Sequence, residues 1–144
     1  MNVFDILGPV MIGPSSSHTA GAARIGRITL ALLGAPAVKA DIFLHGSFAK
    51  TYKGHGTDKA LIAGIMGMST DDSRIRRAPE LAREQGLAVT ITTGDIDGAH
   101  PNTARVALTD ADGNRVSLLG SSIGGGNILV TEVNGMEVSI TGQH

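Results

Sequence analysis

The sequence predicts an α+β domain, a mixed, largely antiparallel sheet with helices packed on one face. Three observations lead there. The element order reads helix, strand, helices, then mainly hairpin-linked strands, which is not the strict alternation of a doubly wound fold. Two turn signals, Asp112-Gly113-Asn114 and Asn134-Gly135, each separate a pair of alternating apolar runs. At 144 residues, 42% hydrophobic and only 3% aromatic, the chain has the size of one ordinary domain with an aliphatic core.

Taken in order, the first helix should run from about Ser17 to Leu33. Ser15, Ser16 or Ser17 can cap it, and Gly34 with Pro36 ends it. Its first half is small (Ala20, Gly21, Ala22, Ala23, Gly26), which lets another backbone or a ligand approach closely. Val38, Ala40, Ile42 and Leu44 alternate with Lys39, Asp41 and Phe43 as a strand does. A second helix should start near Thr57 with Asp58 in its first turn. Ala60, Leu61, Ile62, Ile65 and Met66 give it an almost wholly apolar surface, so it should be well buried. Asp71 to Arg77 is polar and irregular, and Arg74, Arg76, Arg77 and Arg83 read as a solvated face. Pro79 suits the first turn of a short third helix ending at Gly86. Leu87, Val89 and Ile91 form the next strand. Val106 and Leu108 pair through the first turn with Val116 and Leu118, and Ile128 to Val133 pairs through the second with Met136 to Ile140.

Composition narrows the function. Lys plus Arg is 12 against 13 for Asp plus Glu, so neither a nucleic acid nor a membrane surface is suggested as a partner. With one Tyr and no Trp, base stacking is almost unavailable. The absence of cysteine excludes disulfides and any thiolate-held metal centre built from this chain alone. Met1 to Gly13 is a poor signal peptide, and the longest apolar stretch falls short of the roughly 20 residues that span a bilayer. A cytoplasmic location is expected.

Chemistry concentrates in two segments. Gly13-Pro14-Ser15-Ser16-Ser17-His18-Thr19 puts hydroxyls and an imidazole at a helix entry, where unpaired backbone N–H groups attract carboxylate or phosphate. The plainer alternative is that the serines only cap the helix. Gly46-Ser47-Phe48-Ala49-Lys50-Thr51-Tyr52-Lys53-Gly54-His55-Gly56-Thr57-Asp58 reads as a cluster between a strand and a helix. It carries two lysines and a glycine-flanked His55 suited to general-base work; a solvent-exposed turn is its plain alternative. Two weaker signals are His100-Pro101-Asn102-Thr103 and the Gly-rich run Ser121 to Asn127, which reads as a loop able to form an anion nest. No Walker A loop, GxGxxG or HExxH is present.

Together, these segments closely resemble the beta chain of iron–sulfur-dependent L-serine dehydratase, and the similarity runs from Val3 to about Ile140. The resemblance implies a lyase converting L-serine to pyruvate and ammonia within an oligomeric assembly. It also implies a [4Fe-4S] cluster bound by a partner alpha chain, whose iron acts as a Lewis acid on the substrate hydroxyl. For this chain it implies a fold like the allosteric substrate-binding domain of phosphoglycerate dehydrogenases, as one domain over residues 1–144. Beta chains of the two-subunit kind usually continue into an ACT domain; this sequence stops at His144, so the expectation is either a fragment or an absent regulatory domain. His45 stands where family members often have a tyrosine and is left out of the site.

On this basis Ser15, Ser16, Ser17 and Thr19 are expected to orient the substrate. His55 is the first choice for proton transfer and His18 the second. Lys53 would hold the carboxylate or lower the pKa of a neighbouring base, and His100 and Asn102 would complete the binding set. No metal ligand is assigned to this chain. The alternative is a non-catalytic serine-binding allosteric module using the same loops.

Overall fold

The computed structural model describes residues 15–124 and 126–142. Helix α1 (Ser15–Leu33) leads into strand β1 (Ala37–His45) and then helices α2 (Gly46–His55) and α3 (Thr57–Ile65). A 3-10 turn (Ile75–Arg77) precedes α4 (Ala78–Gln85). Strands β2 (Ala88–Gly94), β3 (Asn102–Asp110), β4 (Arg115–Gly124), β5 (Asn127–Val133) and β6 (Met136–Gly142) follow.

The strands form one six-stranded sheet in the order β2-β1-β3-β4-β5-β6. β1 and β2 are parallel, and every other neighbouring pair is antiparallel. A parallel pair needs a long crossover, and α2, α3 and α4 supply it. The consecutive antiparallel strands β3 to β6 need only turns. Asn134 and Gly135 have φ of 52° and 82°, the left-handed pair that a two-residue hairpin requires. At the β3–β4 turn the Asp110 carboxylate accepts N–H bonds from Asp112 and Asn114, both at 2.9 Å. This is the mixed, largely antiparallel sheet predicted from the element order.

Period-two patterning decides which face is covered. Ala40, Ile42 and Leu44 of β1 are buried, as are Val106 and Leu108 of β3, Val116 and Leu118 of β4, and Ile128 and Val130 of β5. α1 packs over β3, β4 and β5, while α2 packs against β1 and β3. Each fully buried Leu or Ile contributes about 1.5–3 kcal/mol by leaving water. That repeated gain, with Phe48 as the largest fully buried side chain, compensates for the near absence of aromatic residues. Among the described residues no helix is long and apolar enough to cross a membrane.

Some sequence expectations shift. The first helix starts at Ser15, so Ser16 and Ser17 lie within its first turn rather than ahead of it. The cluster from Gly46 to His55 is a helix and not a loop. Gly46, at φ 63°, turns the chain out of β1, and the buried Phe48 anchors the helix to the core. Gly56, at φ 78°, then ends it and starts α3. Polar residues and two glycines hid that helix from periodicity. Ser121 and Ser122 likewise belong to β4 rather than to a loop.

Candidate functional site

The site begins with two helices laid side by side. Thr19 of α1 lies beside Gly56 at the start of α3, Ala23 and Arg27 meet Gly64, and Leu30 meets Gly67. The contacts advance together along both chains, so α1 and α3 run in the same direction with their N-termini adjacent. Small residues permit this. A Cβ on Gly64 would collide with the Ala23 carbonyl, and one on Gly26 would stand 2.5 Å from the Leu61 carbonyl oxygen. Two adjacent helix starts add their partial positive charges at one place.

Between them lies an open depression of about 490 Å³, lined among others by Thr19, Gly56, Lys59, Asp72 and Arg76. Asp72 is already committed. Arg74 donates from Nε to its Oδ1 at 3.0 Å and from Nη2 to its Oδ2 at 2.7 Å. These bonds hold its carboxyl down to about 2. With Asp72 paired, Lys59 and Arg76 leave the depression electropositive. Next to Gly56 in sequence, Thr57 is fully buried, and its Oγ1 has no hydrogen-bond partner among the described residues.

The His100 segment joins from the other side of α2. The Ser47 amide donates to the Pro101 carbonyl at 2.7 Å, and Gly46 bridges Asn102. A side chain at Gly46 would strike that same carbonyl. His100 is exposed, and its Nδ1 accepts the Asn102 N–H at 3.0 Å, which leaves Nε2 to face a ligand. Thr103 Oγ1 donates to the His100 carbonyl at 2.7 Å and also bonds Ser121 Oγ at 2.7 Å. His45 has a structural task, since its Nδ1 accepts the Ile96 N–H at 2.8 Å.

The β4–β5 turn closes the set. Ser122 packs directly on Gly21 of α1. A Cβ on Gly126 would lie 3.5 Å from Ala20 Cβ and 3.7 Å from Arg24 Nε. The segments that stood out in the sequence therefore gather at one end of the sheet. That end comprises the starts of α1 and α3, the last turn of α2, the N-terminal end of β3 and the β4–β5 turn.

Ser15, Ser16, Ser17 and His18 occupy the first turn of α1, and Lys53 and His55 the last turn of α2. These residues are placed by backbone; their side chains are outside the described ones. Gly13, Pro14 and Gly125 lie outside the described residues altogether. Asn102 is half-buried at the start of β3. Sequence reasoning missed Arg24 and Asp72, which become neighbours of the flagged segments only on packing; Thr57 lay inside the Gly46–Asp58 segment and Lys59 next to it, but neither was given a role. A lone arginine within a small-residue stripe was the available signal for Arg24. Among the described residues no group of three or more His, Asp or Glu is placed to hold a metal ion.

Comparison with known proteins converges on one group. The family described as serine dehydratase beta chain matches residues 2–97. A probable L-serine dehydratase beta chain of Bacillus subtilis is 50% identical over 143 residues, covering 99% of this chain and 64% of that protein. The L-serine dehydratase beta chain of Peptoniphilus asaccharolyticus is 41% identical over 144 residues, covering 99% of this chain and 65% of that protein. An L-serine dehydratase of Mycobacterium bovis aligns with the whole of this chain at 31% identity and is covered over 35% of its own length. The chain thus spans just under two thirds of the two beta chains it matches.

Proposed function

The chain belongs to the serine dehydratase beta chain family, and we propose that it is the beta component of an L-serine dehydratase, one end of its sheet forming a wall of the substrate site. The observation that carries this reading is the meeting of the α1 start, the α2–α3 junction and the His100 segment at that end. The chemistry suits the place. Removing water from L-serine takes a proton from Cα and hydroxide from Cβ, and the resulting enamine hydrolyses to pyruvate and ammonia. A base and a fixed carboxylate are the minimum requirements.

In this proposal Ser15, Ser16, Ser17 and Thr19 orient the substrate at the α1 terminus, where helix N–H groups favour an anion. His55 moves the proton, with His18 as second choice. Lys53, in the same turn of α2 as His55, supplies positive charge beside it. His100 and Asn102 form the opposite wall. A [4Fe-4S] cluster, the Lewis acid the family resemblance implies, would be carried by an alpha chain. This chain has no cysteine, so it does not fit as the holder of that cluster, and its own part is to bind, orient and move a proton. Assembly with the alpha chain in the cytoplasm belongs to the same proposal.

The test is reconstitution with an alpha chain and assay of L-serine turnover. A positioned general base typically contributes 10²–10⁴-fold, so His55→Ala should lower kcat by more than about tenfold. An unchanged kcat overturns the assignment of His55. Preserved kcat with loss of serine feedback would instead make this chain an allosteric serine-binding module.

A further inference from the structure

Arg24 is an anomaly. It sits one turn beyond Ala20 on α1. The residue is half-buried, but its Nε and Nη1 are buried and have no hydrogen-bond partner among the described residues. Taking part of a guanidinium out of water without a partner is costly. A fold keeps such a group only where something outside the described contacts repays it. Burial, and then the like charge of Arg27, push its pKa below the usual arginine value, so the guanidinium is poised to gain from an anion.

Its direction is fixed by packing. Helical side chains lean toward the N-terminus, and Arg24 Nε lies beside the Gly126 turn at the level of Ala20. The guanidinium therefore reaches toward the first turn of α1. On the next face of the same helix Ser122 is 1% exposed, rests on Gly21, and has an Oγ with no partner among the described residues. Two buried, unpartnered guanidinium nitrogens and a buried, unpartnered hydroxyl thus bracket one turn of α1. Gly126, at φ 80°, lies against Ala20 and Arg24.

We propose that Arg24 and Ser122, with the Gly126 turn, form a carboxylate subsite for the substrate, an inference that rests on the L-serine dehydratase reading above. The planar guanidinium fork matches a carboxylate in two bonds, while the serine hydroxyl donates a third. The subsite distinguishes L-serine from an amino alcohol or an ester that lacks the charge.

The experiment uses the complex with the alpha chain and compares wild type with Arg24→Met, Arg24→Lys and Ser122→Ala. The probes are L-serine and L-serine methyl ester. Losing a charge-assisted hydrogen bond weakens binding by roughly tenfold to a hundredfold. Arg24→Met should therefore raise KM for L-serine at least about tenfold, change kcat far less, and abolish the preference of the complex for L-serine over the ester. Because it removes a partly buried cation whose Nε and Nη1 lack partners among the described residues, its Tm should hold or rise. Arg24→Lys should recover part of the affinity, and Ser122→Ala should raise KM by a smaller factor. An unchanged KM in Arg24→Met overturns the proposal, as does a raised KM with the ester preference intact. A fall in Tm with KM unchanged also overturns it, by making Arg24 a structural residue. A wild-type complex without serine turnover would instead reject the underlying reading, a result separate from all of these.

Discussion

Gly64 of α3 faces the backbone carbonyl of Ala23 in α1 with no room for even a Cβ between them. The approach is reciprocal, because Gly26 of α1 meets the Leu61 carbonyl and the Ile65 amide of α3. These contacts set the spacing of the two helix starts that frame the candidate site. Backbone cannot give way as the end of a long side chain can. Gly64→Ala should therefore cost about 1–3 kcal/mol, the usual range for overpacking a filled interior. Urea unfolding of the isolated chain measures it. Gly86→Ala is the comparison, since nothing lies within 4 Å of a Cβ there and only the φ of 82° is strained. Equal losses in the two variants would mean that the α1–α3 contact is slack.

A second prediction concerns Gly46 and Pro101. The glycine takes φ 63° and faces the Pro101 carbonyl, which also accepts the Ser47 amide. Gly46→Ala adds strain and a clash at one point, so it should release the His100 segment from α2. In the reconstituted complex kcat/KM for L-serine should drop by more than the folded fraction does. Loss of activity in strict proportion to the folded fraction, read by circular dichroism, would show that the His100 segment takes no part in the site.

How far the sequence revealed this arrangement depended on whether a signal was local. The hairpin at Asn134-Gly135 was legible because its turn type demands those residues. α4 was legible because Pro79 and Gly86 punctuate it. α2 was not: among the described side chains between Gly46 and Gly56, the apolar ones packed on the core are the buried Phe48 and the half-buried Ala49, too few to show a period. Ser122 looked like part of a flexible loop because glycines follow it, yet its neighbour in space is Gly21, about a hundred residues away. His55, His18 and the serines stood out in the sequence by residue type and helix entry, and the roles proposed for them rest on that signal. Arg24 did not, because the role proposed for it rests on Nε and Nη1 having no partner among the described residues after packing.

His45 provides a third prediction. Its Nδ1 accepts the Ile96 amide at 2.8 Å, so a neutral ring must carry its proton on Nε2. This bond fastens the chain after β2 to the end of β1. His45→Phe keeps a ring and removes the acceptor, which should cost about 0.5–1.5 kcal/mol. The Ile96 amide should then exchange with deuterium much faster, while the Asn102 amide, held by His100, keeps its rate. Uniform acceleration at both would mean that the two loops open as one unit.

The last prediction is a pH dependence at Asp110. Burial alone raises its pKa, but hydrogen bonds from the Asn114 side chain and from the backbone of Asn114, Asp112 and Gly113 outweigh that, and the net shift is downward. A carboxylate with a lower pKa in the folded state stabilises the fold above its unfolded pKa of about 3.9. The contribution fades as pH falls from there through the folded value. Wild type should accordingly exceed Asp110→Ala in urea midpoint at pH 7, and the gap should narrow steadily below about pH 4 as the carboxylate is protonated. The bonds it accepts close the β3–β4 turn, at the opposite end of those strands from the candidate site. KM for L-serine in the reconstituted complex should therefore be unchanged by the substitution. A gap that stays constant down to pH 2 would assign the effect to turn geometry rather than to the charge.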